Sequence, residues 1–165
     1  MATVVVMGLM GAGKSSVARL VAGALGRPMR DSDEDLQARY GKTAAQINAD
    51  EGADELHARE AQVLFDALNE GDVVVAAAAS TVEDPVVRAA LEPAYVVYLD
   101  APPEVLAERM KSGAHRPHFQ PDLVRMLTEQ RTRRLPYFTQ VADLVVDSSK
   151  RTPEETAREV AERLP

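Results

Sequence analysis

Short runs of branched apolar residues alternate with amphipathic stretches from one end of the chain to the other. That is the pattern of an α/β protein built on a mainly parallel sheet. Residues 3–7 (TVVVM), 72–76 (DVVVA), 95–99 (YVVYL) and 144–147 (LVVD) are continuously apolar rather than alternating, as expected of strands covered on both faces. A weaker strand is expected over 28–30. Between these runs, residues 14–25 place Val17, Leu20, Val21 and Leu25 on one helical face, and Gly26 followed by Pro28 ends the pattern. Leu56, Val63, Leu64, Ala67 and Leu68 share a helical spacing over 56–68, and the helices expected over 103–110 and 153–164 both open on proline. These read as crossover helices joining parallel strands. No internal repeat and no serine- or glycine-rich linker divides the chain, so residues 1–165 are expected to form one domain: a five-stranded parallel sheet sandwiched by helices. The irregular stretch is 111–121 (KSGAHRPHFQP), where two prolines and a glycine oppose regular structure and Lys111, Arg116 and His118 supply polar or cationic groups. It reads either as a functional lid or as an ordinary surface loop.

Composition narrows the function classes. The chain has 26 acidic and 19 basic residues, a net charge of −7, and no cysteine. Without cysteine there is no disulfide framework, thiolate nucleophile or cysteine-held metal, and a reducing cytoplasm is the expected compartment. A pI of about 5.0 argues against a nucleic-acid partner, which calls for a strongly basic face. No apolar run approaches the roughly 20 residues of a membrane-spanning helix, and the first residues lack the basic flank of a secretory leader, so no membrane association is expected. With no heptad seam, a monomer is expected. The charge is nevertheless uneven. Between Arg109 and Arg134 stand seven basic residues against Asp122 and Glu129, a local cationic patch suited to a triphosphate and a small carboxylate.

Residues 8–15, GLMGAGKS, satisfy the phosphate-loop pattern G-x-x-x-x-G-K-[ST], and they follow an expected buried strand and open an expected helix. The spacing has a mechanism. Glycines at 8, 11 and 13 let the backbone curl so that the N–H groups of Gly11, Ala12, Gly13, Lys14, Ser15 and Ser16 converge on one anion. The helix N-terminus adds positive dipole, Lys14 reaches the β and γ phosphates, and Ser15 ligates magnesium. Nucleotide binding follows, with ATP and Mg2+ the expected cofactors.

What reacts depends on what faces the γ phosphate. Asp31 and Asp33 follow the second strand, where side chains two residues apart point the same way, so both are expected to face the phosphates. One would hold hydrated magnesium and the other would accept the proton of an acceptor hydroxyl. The alternative is that Ser32 or Asp33 simply caps the next helix. The run 73–79 ends in alanines rather than a metal-binding aspartate, which leaves Asp31 as the best magnesium partner.

With these motifs in view, the chain resembles the shikimate kinase family over nearly its whole length. GLMGAGKSS is similar to that family's phosphate loop. Residues 31–64 resemble its aspartate pair and acceptor-binding helices, HRP (115–117) its lid, RRLPYF (133–138) its arginine-bearing segment, and KRTP (150–153) its adenine loop. The resemblance implies a phosphate-loop NTPase fold similar to nucleoside-monophosphate kinases, and ATP-dependent phosphorylation of a small hydroxylated acid, with shikimate the implied acceptor. It implies Lys14 as phosphate clamp, Ser15 and, through water, Asp31 on magnesium, and Asp33 orienting or deprotonating the acceptor hydroxyl. Arg116 would close over the transferring phosphate; Arg109 and Pro153 would flank the adenine with Arg151 beside it; Arg134 would bind the acceptor's carboxylate.

Two departures bear on the acceptor. Where the family has a second carboxylate-binding arginine this chain has His57, mostly neutral at pH 7. Arg59 is turned roughly 200° around the helix from it, so it is not expected to restore the charge. Where the family has three glycines the chain has Ala77, Ala78 and Ala79, which add methyl groups and would strain any position needing positive φ. Ala78 and Ala79 are therefore expected to line an altered pocket, or the alanines simply end a buried strand. Two other readings stay open: a kinase of a different small hydroxylated acceptor, and a nucleotide-binding relic without phosphotransfer.

Overall fold

Val4–Met7 are wholly shielded from solvent and form β1, the central strand of the sheet. The structure is a computed structural model and describes residues 2–112 and 122–165. β1 pairs in parallel with β3 (Val74–Ala76) on one side and β4 (Tyr95–Asp100) on the other; β2 (Met29–Asp31) flanks β3 and β5 (Leu144–Asp147) flanks β4. The order is β2-β3-β1-β4-β5 with every pairing parallel, so each strand returns through helices and the sheet is covered on both faces. This is the five-stranded parallel sheet expected from the continuous apolar runs.

The helices are α1 (Lys14–Leu25), α2 (Ser32–Tyr40), α3 (Ala44–Glu51), α4 (Ala53–Glu70), α5 (Pro85–Ala90), α6 (Pro103–Ser112), α7 (Leu123–Val141) and α8 (Pro153–Arg163). A 3-10 turn spans Ala79–Glu83. Helix α1 buries Val17, Ala18, Val21 and Ala22 and packs against α8. On the other side of β4, Tyr98 stacks on Phe138 of α7 with ring centroids 4.4 Å apart and an interplanar angle of 10°. Both rings are fully buried and tie α7 to the sheet.

The structure departs from the sequence pattern in several places. The expected strand at 28–30 is β2 one residue later, which ends on Asp31. The strand expected from residue 72 begins at Val74, because Asp72 takes a left-handed conformation (φ 49°) in the connection. Two short helices, α2 and α3, precede α4, and they are too polar and brief to show an apolar stripe. They are held by a small core of their own, Leu36, Ile47 and Val63, with Ala44 and Leu56 packed against it. Thr43 and Gln46 form a capping box at the start of α3, a T-x-x-Q signal legible in the sequence. Pro136 lies inside α7 without ending it; the burial of Leu127, Arg134 and Phe138 on that helix outweighs the one lost backbone bond. Helix α6 runs to Ser112, into the stretch read as irregular, and 113–121 lie outside the described residues.

Candidate active site

The loop between β1 and α1 is a tight cradle because its glycines have no alternative. A Cβ on Gly8 would lie 2.6 Å from the Leu99 carbonyl oxygen, and one on Gly11, whose φ is 86°, would lie 2.8 Å from that of Leu106. Both contacts are with backbone, which cannot swing aside. Gly13 (φ 92°) is the N-cap residue of α1, and no side chain caps that helix, so its first amides point into the cradle. Lys14 curls back over the loop and donates from Nζ to the carbonyls of Gly8 (2.9 Å) and Leu9 (3.2 Å). Burial pushes its pKa down from 10.5 to about 8, against the pull of Asp33 and Asp31; Arg134 pushes the same way as burial. The phosphate loop, the two aspartates and Arg134 thus share one electrostatic neighbourhood.

The two aspartates differ from the expectation of one shared strand face. β2 ends at Asp31, and Asp33 lies in the first turn of α2, so strand alternation does not relate them. Nor do Ser32 or Asp33 cap α2: Asp31 does, accepting from the amides of Asp33 (2.9 Å) and Glu34 (3.4 Å) through Oδ1. Its other oxygen, Oδ2, accepts a hydrogen bond from the Ser15 hydroxyl. Asp31 is buried and fixed at both oxygens, and Asp33 acts electrostatically on Lys14. With its proton given to Asp31, Ser15 Oγ has lone pairs available for a cation. Hard oxygen donors of this kind fit magnesium, which takes few protein ligands and completes its shell with phosphate and water. Among the described residues no group of three or more histidine or carboxylate side chains could hold a metal unaided.

Arg109 of α6 reaches across the loop. Its guanidinium donates to the Gly11 carbonyl (3.1 Å), the Ser148 hydroxyl (3.2 Å) and the Ser148 carbonyl (2.6 Å), joining the phosphate loop to the segment after β5. Ser148, buried and itself bonded to the Asp100 carbonyl (3.2 Å), carried no sequence signal. Further along that segment, exposed Arg151 is paired with Glu159, and Pro153 starts α8 behind the Thr152 cap. Ser16 is exposed in the first turn of α1. Arg116 lies outside the described residues.

On the acceptor side, His57 of α4, Arg133 and Arg134 of α7 and the 3-10 turn line an open cleft of about 380 Å³. Arg134 is buried, not a solvated helix-end residue, and donates from Nε to Glu83 Oε2 at 2.7 Å. Arg133 donates from Nε to the other oxygen of the same carboxylate at 2.9 Å. Burial pushes the Glu83 pKa up, but the hydrogen bonds from Arg134 and Arg133 more than offset this and leave it below the usual carboxylate value. Arg59 is turned away: it pairs with Glu51 and Glu55 and lies over the Tyr40 ring, 4.4 Å from its centroid.

The alanines are accommodated without strain. Ala77 donates to the Val6 carbonyl (3.1 Å) just past β3, and Ala78 (φ −64°) N-caps the 3-10 turn, its carbonyl accepting from the Thr81 hydroxyl (2.7 Å). Ala79 begins that turn, so the alanines are not the end of the strand itself. Neither Ala78 nor Ala79 borders the cleft as His57, Ser80 and Thr81 do. The sequence reading missed Glu60, three residues beyond His57 on α4. This carboxyl is buried, accepts from the Ser80 hydroxyl at 2.8 Å, and has its pKa raised chiefly by burial. A charged residue inside an amphipathic helix pattern gives no signal of that kind. Glu83 and Arg133 were likewise illegible, because their pairing spans 50 residues.

A phosphate loop on the central strand of a 2-3-1-4-5 parallel sheet, faced by two aspartates and an arginine-lined cleft, defines a phosphate-loop kinase of small molecules. Comparison with known proteins gives the particular family. The family model described as shikimate kinase matches residues 10–165. A shikimate kinase of Symbiobacterium thermophilum is 35% identical over 165 residues, covering 98% of this chain and 95% of the relative. One from Streptomyces avermitilis is 37% identical over 161 residues, covering 98% and 94%. The structure of shikimate kinase from Acinetobacter baumannii in complex with shikimate superposes with a TM-score of 0.91 at 26% identity, covering 100% of this chain and 96% of that one. The chain belongs to the shikimate kinase family.

Proposed function

We propose that this protein transfers the γ-phosphoryl group of ATP to a hydroxyl of shikimate, a step of aromatic amino acid biosynthesis. The observation that carries the reading is the match to the shikimate kinase family over residues 10–165, on a fold that presents both a phosphate loop and an arginine-lined cleft. The electrostatic action of Asp33 and Arg134 on Lys14 supports donor and acceptor sites that adjoin.

The loop amides of residues 11–16 and Lys14 hold the triphosphate. Arg109, with Arg151 and Pro153, forms the adenine end, and Arg109 keeps its position through Gly11 and Ser148. Arg134 binds the acceptor carboxylate and so orients the ring, with His57, Ser80 and Thr81 shaping the pocket in place of the expected Ala78 and Ala79. Asp33 accepts the acceptor's hydroxyl proton as its oxygen bonds to the γ phosphorus; the bond to the bridging oxygen breaks and ADP leaves. Ser15, and Asp31 through water, would hold magnesium, which would supply neutralisation of the triphosphate charge. Arg116, in a lid around 111–121, completes the neutralisation on the strength of the resemblance. The same reading has residues 1–165 acting as one monomeric kinase domain in the cytoplasm. Among the described residues no helix is long and apolar enough to cross a membrane.

The test is shikimate-dependent release of ADP by the purified protein with ATP and magnesium. Turnover is expected, with Asp33→Asn losing at least about 100-fold in kcat, the range of positioned general bases. ATP binding without shikimate turnover at millimolar acceptor would sink the reading.

A further inference from the structure

We propose that Arg133 and Arg134 together form the receptor for the acceptor's carboxylate, and that Glu83 is an internal competitor occupying it. Only the name of the acceptor rests on the function proposed above; the receptor itself rests on geometry.

Successive residues on a helix point about 100° apart, so neighbouring arginines ordinarily serve different surroundings. Here both reach one carboxylate. Arg133 Nε lies 2.9 Å from Glu83 Oε1 and Arg134 Nε lies 2.7 Å from Oε2. Glu83 thus shows that the two guanidinium groups are spaced for a carboxylate held between them, and both border the 380 Å³ cleft. Among the described residues, the bonds made by the two groups run through Nε, which leaves their Nη pairs uncommitted. The side chains divide the work by depth, Arg134 being 8% exposed and Arg133 53% exposed at the rim. The buried member anchors, and the rim member adds charge and captures.

Among the described residues, no other cation lines the cleft. Position 57 carries an imidazole, and Arg59 is committed to Glu51, Glu55 and Tyr40. Among the described residues, Asp84 is the other carboxylate lining the cleft and accepts from the Val86 amide at 2.8 Å at the start of α5; Glu60 close by accepts from Ser80. Glu83 is therefore the anion an incoming carboxylate must displace from the pair. An acceptor without a carboxylate gains nothing from that exchange.

Calorimetric titration of the full chain with shikimate and with its methyl ester, for wild type, Arg133→Gln, Arg133→Lys and Glu83→Gln, tests the receptor. Wild type is expected to prefer the acid. Arg133→Gln should weaken shikimate about fivefold, as suits a half-exposed charged hydrogen bond, and leave the ester unmoved. Arg133→Lys should fall between, keeping charge but losing the fork. Glu83→Gln should tighten shikimate about threefold or more by removing the competitor, the opposite of what loss of a purely structural ion pair would do. In turnover, the Arg133→Gln effect should appear in KM for shikimate and not in KM for ATP. Equal effects on acid and ester, a silent Arg133→Gln, or weaker binding in a folded Glu83→Gln would each overturn the receptor. Should Glu83→Gln fail to fold, the two Arg133 variants decide alone. Carboxylate-selective binding without ADP release would overturn the proposed activity and leave the receptor standing; shikimate turnover with a silent Arg133→Gln would do the reverse.

Discussion

The lysine of the phosphate loop should write its own pKa into the pH dependence of the enzyme. In the ligand-free protein Lys14 donates to the carbonyls of Gly8 and Leu9, and burial brings its pKa from 10.5 down to about 8. Only the ammonium form pairs with a triphosphate, so kcat/KM for ATP, which reports the enzyme before ATP binds, should be flat up to about pH 8 and fall tenfold per unit above it. At pH 9.5 the loss relative to the plateau should be about 30-fold, where a lysine at its ordinary value would show almost none. Once the triphosphate is bound its negative charge holds the proton, and kcat should decline at higher pH than kcat/KM. The assay is coupled ADP release at varied ATP and saturating shikimate from pH 6.5 to 10, alongside Lys14→Arg, whose guanidinium stays charged throughout and whose profile should stay flat whatever its absolute rate. A wild-type profile level within twofold to pH 9.5 would refute the reasoning. Linkage gives a second readout. The folded state disfavours the proton on Lys14, so stability should rise as pH moves from about 8 toward 10.5. The shift corresponds to about 3 kcal/mol against the charged form, and Lys14→Met should therefore raise Tm at pH 7 while abolishing turnover.

Further tests follow from other parts of the structure. Phe138→Ala removes a fully buried ring stacked on Tyr98 and should cost about 3–5 kcal/mol in denaturant unfolding, with the midpoint rather than the slope moving. Gly11→Ala drives a methyl group to 2.8 Å from the Leu106 carbonyl at φ 86°; the loop must shift, and KM for ATP should rise at least about tenfold, a loss of about 1.4 kcal/mol. Asp31→Asn retains an oxygen to cap α2 but not the negative charge beside Ser15. Helix stability should hold within about 1 kcal/mol, while the magnesium concentration for half-maximal activity rises several-fold. Asp31→Ala should add the lost cap, visible as a lower Tm.

The parts of the protein that depend on local chemistry were legible in its sequence. Continuous apolar runs at 3–7, 72–76 and 95–99 read as strands buried on both faces, and such strands imply parallel pairing and crossover helices. GLMGAGKS carries its function in its spacing, because backbone comes too close for a Cβ at Gly8 and Gly11 and Gly13 takes a positive φ. What the tertiary structure alone decided are relations between residues far apart in the chain. Asp31 and Asp33 looked like neighbours on one strand face; the turn into α2 splits them into a cap bonded to Ser15 and a first-turn carboxylate that acts on Lys14. Arg134, unremarkable as one of several arginines in α7, is buried because Phe138 and Leu127 draw that helix onto the core. Glu83 meets it and Arg133 only because the 3-10 turn after β3 lies against α7. A hydrophobic period records which face of an element is buried, and a loop motif records its own conformation. Neither records which charged side chains meet once the layers close.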